Sequence, residues 1–203
     1  MIHNTQETYK PFSEDPQKQW FVLRITYHRV QMAYDLLVDK EGIEVYMPLR
    51  YIMRNVDGRN RRVTAPLLQN LLFVYAKHET IDNILKSEIR KSNTKNLITY
   101  YYNHFHIGND GKNPPLTVPY NAMMNFIRLT SLTNEHIRLV RPEQCHYRSG
   151  DLVRIIDGEF AGIKGRVARV SGQQRVIVEL DGVCLVMTAY IPSAFIEKIQ
   201  QPK

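Results

Sequence analysis

The chain has 203 residues, enough for one or two domains of ordinary size, and carries 27 Lys/Arg against 20 Asp/Glu, for a net charge of +7 and a pI near 9.4. That balance suggests a polyanionic neighbour such as nucleic acid, while the apolar runs are too short and too often broken by charge to reach the roughly 20 residues that cross a bilayer. Two cysteines, Cys145 and Cys184, and a start with no secretory pattern lead us to expect a reducing cytoplasm in which both thiols stay free.

Residues 1–18 are polar, hold two prolines and keep no period, so a loosely ordered tail is expected. The run 20–26 predicts a strand covered on both faces, with Trp20, Val22 and Arg24 on one side and Phe21, Leu23 and Ile25 on the other. Val30, Ala33 and Leu37 recur at helical spacing over 30–41, and Gly42 is placed to end that helix. Ile43, Val45 and Met47 alternate toward Pro48 as a second strand. Residues 49–64 read as an excursion, two short strand-like arms around a turn at 55–58. Its arms carry Arg50, Arg54, Arg59, Arg61 and Arg62 against a single acid, Asp57. The run 71–76 is apolar on both faces and so reads as a central strand.

Thr80 is placed to cap a helix with Ile81, Ile84 and Leu85 inward, and 97–102 return as a strand. Residues 103–116 are a polar loop. Pro119 then opens a helix to about Thr130 with Met123, Phe126 and Ile127 on its apolar face. The order β-α-β-β-β-α-β-α predicts an α+β domain over 19–131, an antiparallel sheet with helices packed on it.

After a linker at 132–147, residues 148–203 predict a small all-β module. Residues 151–156 form a strand that stops at Asp157-Gly158, and Gly162 and Gly165 bracket a tight loop before 166–170. Ser171-Gly172 turns into a half-buried strand at 175–180, where Val176, Val178 and Leu180 alternate with Arg175, Ile177 and Glu179. Asp181-Gly182 signals a hairpin into 183–188, and 195–199 close a five-stranded barrel. From Tyr147 onward 8 basic and 6 acidic residues leave only +2, so +5 lies in the preceding part.

The pattern Gly150-Asp151-x-Val153-x-Ile155, Asp157-Gly158-x-Phe160-x-Gly162, Gly165-x-Val167 resembles the KOW motif of the NusG family of transcription elongation factors. Trp20-x-Val22-Leu23-Arg24, the phrase at 41–48 and Pro66-Leu67-x-x-Asn70-x-Leu72-Phe73-Val74 resemble the NGN domain that precedes it in that family. The resemblance implies an SH3-like barrel behind an NGN domain. It implies a factor that grips the clamp helices of RNA polymerase through the segment holding Leu68, Leu71 and Phe73, with Arg24, Tyr27 and His28 flanking the groove. Of Phe73 and Leu71, whichever faces the helices is core. The NGN domain would reach across the DNA cleft to the opposing lobe, and the KOW module would contact a ribosomal protein, a termination factor or nascent RNA.

Leu68-Gln69-Asn70-Leu71 stands where many family members read Phe-Pro-Gly-Tyr. With the Arg-rich excursion, this makes the chain most similar to the UpxY antiterminators of polysaccharide operons, acting as a cytoplasmic monomer.

The five arginines have two readings: a solvated decoration protecting a hairpin, or a surface that tracks a phosphate backbone or the exposed non-template DNA strand. Tyr100, Tyr101 and Tyr102 could stack on bases, although consecutive strand residues cannot all face one side and at least one should be packed. His104-x-His106 and Cys145-His146 fall short of the paired ligands zinc uses. The glycines at 158–165 precede a strand rather than a helix and so make no phosphate cradle. No catalytic arrangement is legible, and the expectation is a binding protein without metal or cofactor. A free-standing RNA-binding or ribosome-associated module is the alternative, disfavoured by the mild charge of the KOW part.

Overall fold

The computed structural model describes residues 12–26, 28–89, 96–108, 110–132 and 136–199; Tyr27 and the side chains of 89 and 148–150, Gly150 included, lie outside the described residues. The chain opens with β1 (Gln19–Ile25) and α1 (Val30–Leu37), and the helix buries Val30, Ala33 and Leu37. It stops short of the expected 41. The Val38 amide still reaches Tyr34 O (2.8 Å), but Lys40 N bonds Leu37 O (3.0 Å), so the chain has already turned. Gly42, at φ +79°, belongs to that turn and leads into β2 (Ile43–Tyr46) rather than capping the helix.

Then come β3 (Leu49–Val56) and β4 (Arg59–Pro66), full strands rather than short arms, followed by β5 (Leu71–Ala76). Four strands therefore separate the first two helices, where three were expected. The second helix, α2 (His78–Ile89), begins before Thr80, which sits in its first turn instead of capping it. Strands β6 (Ile98–Tyr100) and β7 (Thr117–Val118) flank the loop, and Pro119 is the cap of α3 (Tyr120–Thr130).

The order β2-β5-β1-β6, with β7 also on β1, is antiparallel at every pairing. Alternation along β1 and β5 splits their side chains between two faces. Phe21, Leu23, Ile25, Leu72 and Val74 meet Leu37 of α1 and Ile81 of α2 on one side. Trp20, Val22, Leu71, Phe73 and Tyr75 meet Met123, Phe126 and Ile127 of α3 on the other. This is the α+β arrangement the sequence predicts.

Residues 12–18, expected to be loose, are anchored at Phe12, Asp15 and Lys18. Phe12 stands edge-on to Trp20 at 5.0 Å, the Asp15 amide donates to Tyr75 Oη (2.7 Å), and Lys18 pairs with Glu44 at 2.9 Å. A single aromatic with a ring to meet outweighs the polar composition around it.

The C-terminal sheet comprises β8 (Arg138–Val140), β9 (His146–Ile155), β10 (Lys164–Val170), β11 (Gln173–Leu180), β12 (Cys184–Met187) and β13 (Ile196–Lys198). Its order is β13-β9-β10-β11-β12-β8, six strands where five were expected, because β8 pairs with β12 from within the stretch read as a linker. Ile177 is also buried, so β11 is covered on both faces rather than half-buried. Gly165 has an ordinary φ; its role is space, since a Cβ there would lie 2.4 Å from the Ile177 carbonyl oxygen.

Candidate binding surfaces

The N-terminal sheet places the sequence-singled residues together on one face. Leu71 and Phe73 project from β5 beside Trp20 and Val22, and Arg24 lies directly across from Leu71 in the β1–β5 register. Arg24 is exposed at the rim, and exposed His28 follows β1 with a left-handed backbone (φ +54°). Phe73 packs on Phe126 (5.5 Å between rings), as its core reading requires.

The expectation that Leu68 and Leu71 stand open for a partner is not what the free chain shows. Leu68 is 7% and Leu71 6% exposed. Leu71 shares its core with Met123, Phe126 and Ile127 of α3, and Leu68 lies against the C-terminal module, which packs on this face. One continuous core runs from Trp20, Leu68, Leu71 and Phe126 into Val153, Phe160, Val176, Val178, Leu180 and Ile191. Helix α3 packs on β11. Its Asn125 side chain holds the module reciprocally, donating from Nδ2 to Lys164 O (2.6 Å) and accepting the Lys164 amide at Oδ1 (2.8 Å). At the hairpin between β11 and β12, a Cβ on Gly182 would lie 3.5 Å from Leu116. Beside it, Leu68, Leu139, Val183 and Leu185 line an open hollow.

Of the KOW-type residues, Gly150 and Asp151 lie in β9, Gly165 lies in β10, and Asp157, Gly158, Phe160 and Gly162 form the connection between them. Gly158 and Gly162 have φ of +79° and +86°, Phe160 is buried between them, and Asp157 accepts the Gly158 amide at 2.7 Å. Asp151 pairs with Lys198 of β13 at 2.6 Å, fixing the edge of the sheet. These residues are structural in the module; Phe160 also belongs to the core shared with the N-terminal domain, and Gly162 lies under the Arg128 side chain of α3.

The five arginines lie on the β3–β4 ribbon, a two-stranded sheet of its own. Asp57 and Gly58 both have positive φ (54° and 77°), which gives the two-residue turn whose twist matches a hairpin. The register sets Arg54 directly opposite Arg61, and Arg50 opposite Ala65. Arg62 is on the other face, its guanidinium 4.1 Å from the centre of the Tyr51 ring.

Tyr100 donates to Asp82 (2.7 Å), and burial followed by that bond pushes its phenol well above the ordinary range. Tyr101 is half-buried and Tyr102 is 44% exposed, so at most one of the run offers an open ring. Among the described residues, no three His, Cys, Asp or Glu side chains are grouped as a metal would need. Both cysteines are free thiols, and burial pushes that of Cys184 up to about 12. Sequence reasoning missed the contribution of Leu116, Asn125 and Gly182 to the covered face. Their signal is purely tertiary.

No individual curated protein matches the chain. A family model described as "Transcription termination factor nusG" matches residues 18–127, and the KOW motif matches residues 149–179. The first spans β1 through most of α3 and the second β9 to β11, while the β8 and β12 sides of the hollow lie outside both. With more than half of its 203 residues under the first match, the chain belongs to the NusG family and is thereby a transcription elongation or antitermination factor.

Proposed function

We propose that this chain binds the clamp helices of elongating RNA polymerase through the face holding Leu68 and Leu71, with Phe73 as the core residue beneath it and Arg24, His28 and, outside the described residues, Tyr27 at its rim. The observation that carries the reading is that these side chains, drawn from separate segments, converge on one apolar face held by contacts from a second module. An apolar surface of this kind suits a helical pair. The C-terminal module, which we take to curl as a small SH3-like barrel, must swing away before the clamp can dock. Binding is thus a population shift from the closed to the open arrangement. Bridging clamp and opposing lobe then disfavours the paused polymerase, and about 1.4 kcal/mol of differential binding changes the paused fraction roughly tenfold.

The ribbon meets nucleic acid near the bubble, and the released module recruits a ribosomal protein, a termination factor or nascent RNA. The replacement of the Phe-Pro-Gly-Tyr pattern by Leu68-Gln69-Asn70-Leu71 supports a specialised, UpxY-like antiterminator of polysaccharide operons over a general factor.

Retention on immobilised RNA polymerase tests this. Val183→Asp, at the edge of the hollow beside Leu68, should loosen the closed contact and raise retention. Adding Leu68→Asp and Leu71→Asp should abolish it, with circular dichroism verifying the fold. Retention indifferent to all three substitutions contradicts the reading, and retention only through RNA supports the ribosome-associated alternative.

A further inference from the structure

The ribbon does more with its charge than protect an edge. From Met53 to Arg62 every residue except Val56 is exposed, and no other element packs extensively on either arm. Pairing alternates the faces, so Arg54, Arg59 and Arg61 share one face near the tip and Arg50 lies on the same face toward the base. None of these four holds an ion pair among the described residues. Arg54 and Arg61 are direct cross-strand neighbours, and like charges in that position destabilise a ribbon. Charge of either sign would protect an edge; here positive charge is concentrated on one face, where a bound anion relieves the repulsion.

The dimensions select the anion. Eight residues per arm at about 3.3 Å each give a ribbon about 26 Å long, with strands about 4.8 Å apart. The major groove of B-form DNA, about 12 Å wide, admits a two-stranded ribbon, whereas the deep, narrow major groove of A-form RNA does not. Single-strand binding relies on open aromatic faces, and the ribbon's one aromatic, Tyr51, is half-buried with Arg62 stacked on it. We propose that the β3–β4 ribbon inserts its basic face into the major groove of duplex DNA, with Arg54, Arg59 and Arg61 reaching the groove and Arg50 the flanking phosphates. The exposed amides of Asn55 and Asn60, opposite each other on the reverse face, stand beside the groove wall. This deepens the nucleic-acid reading of the ribbon given above and does not require polymerase docking.

Fluorescence anisotropy of the full chain with a labelled DNA duplex, its separated single strand and an RNA duplex of the same sequence tests it. The DNA duplex should bind best, and four cationic contacts make affinity fall on the order of a hundredfold between 50 and 200 mM salt. Arg54→Gln with Arg61→Gln should weaken duplex binding tenfold or more while leaving polymerase retention, measured without nucleic acid, unchanged. Preference for the single strand or for RNA overturns the proposal, as does duplex binding that ignores the double substitution. Loss of polymerase retention in the unsubstituted chain, with duplex binding intact, removes the clamp reading and leaves this one standing.

Discussion

Two residues show how local chemistry is tied to the whole. Gly165 has no Cβ because the β10 backbone passes against β11, where a methyl group would meet the Ile177 carbonyl oxygen at 2.4 Å and the Val176 side chain at 2.7 Å. Gly165→Ala should therefore cost about 1–3 kcal/mol as overpacking, read as a lower urea midpoint with an unchanged slope. Cys184 gives a pH signature. Burial raises its thiol from 9.0 to about 12, so between those values the folded chain binds more protons than the unfolded one. Stability then declines as pH rises through that window, and Cys184→Ala should flatten the decline in pH-dependent urea titrations. Gly165 announced itself in the sequence as a motif glycine, but its reason, close approach instead of left-handed backbone, needed the position of the neighbouring strand.

At the scale of elements, the β3–β4 ribbon and α3 behave oppositely. The ribbon is held by its own ladder and its Asp57-Gly58 turn, with no core beneath the outer half. Gly58→Val forces a β-branched residue into φ +77°, and should abolish amide protection across the ribbon while moving the melting temperature by less than about 2 °C. Helix α3 is a keystone: Phe126 is fully buried between Phe73 and Tyr46, and Thr130 Oγ1 shares a 2.6 Å hydrogen bond with Tyr46 Oη. Phe126→Ala should cost about 3–5 kcal/mol in urea unfolding.

The sequence disclosed α3 well, since Met123, Phe126 and Ile127 keep helical spacing behind Pro119. It disclosed α1 only in part, because polar residues after Leu37 are equally compatible with another helical turn and with the loop that forms. The ribbon's arms were visible but undersized, as arginines carry no periodicity that marks a strand's end. Strand β8 was hidden, since three residues have no period at all and only pairing with β12 makes them a strand.

For the whole molecule, the decisive feature is the way the two modules share one core. Family segments in the sequence pointed to Leu68, Leu71 and Phe73 as one surface, and the fold does assemble them with Arg24 at the rim. What no linear pattern carries is that the C-terminal sheet covers that surface, because the covering contacts join residues such as Leu116 to Gly182 and Asn125 to Lys164 that lie far apart along the chain. Asn125→Ala removes both hydrogen bonds to Lys164 and should favour the open form, seen as increased binding of an apolar dye with little loss of far-ultraviolet dichroism. The same substitution should raise polymerase retention, because the closed population taxes apparent affinity.

Hydrogen exchange of the full chain, free and bound to RNA polymerase, tests the exchange of partners at this face most directly. The expected result is that residues 67–73 and α3 stay protected in both states while the Lys164 amide, which donates to Asn125 across the contact, loses protection on binding, as the module departs and the clamp takes its place. Continued protection of the Lys164 amide in the complex would contradict it, since the covered leucines would then never have met the polymerase.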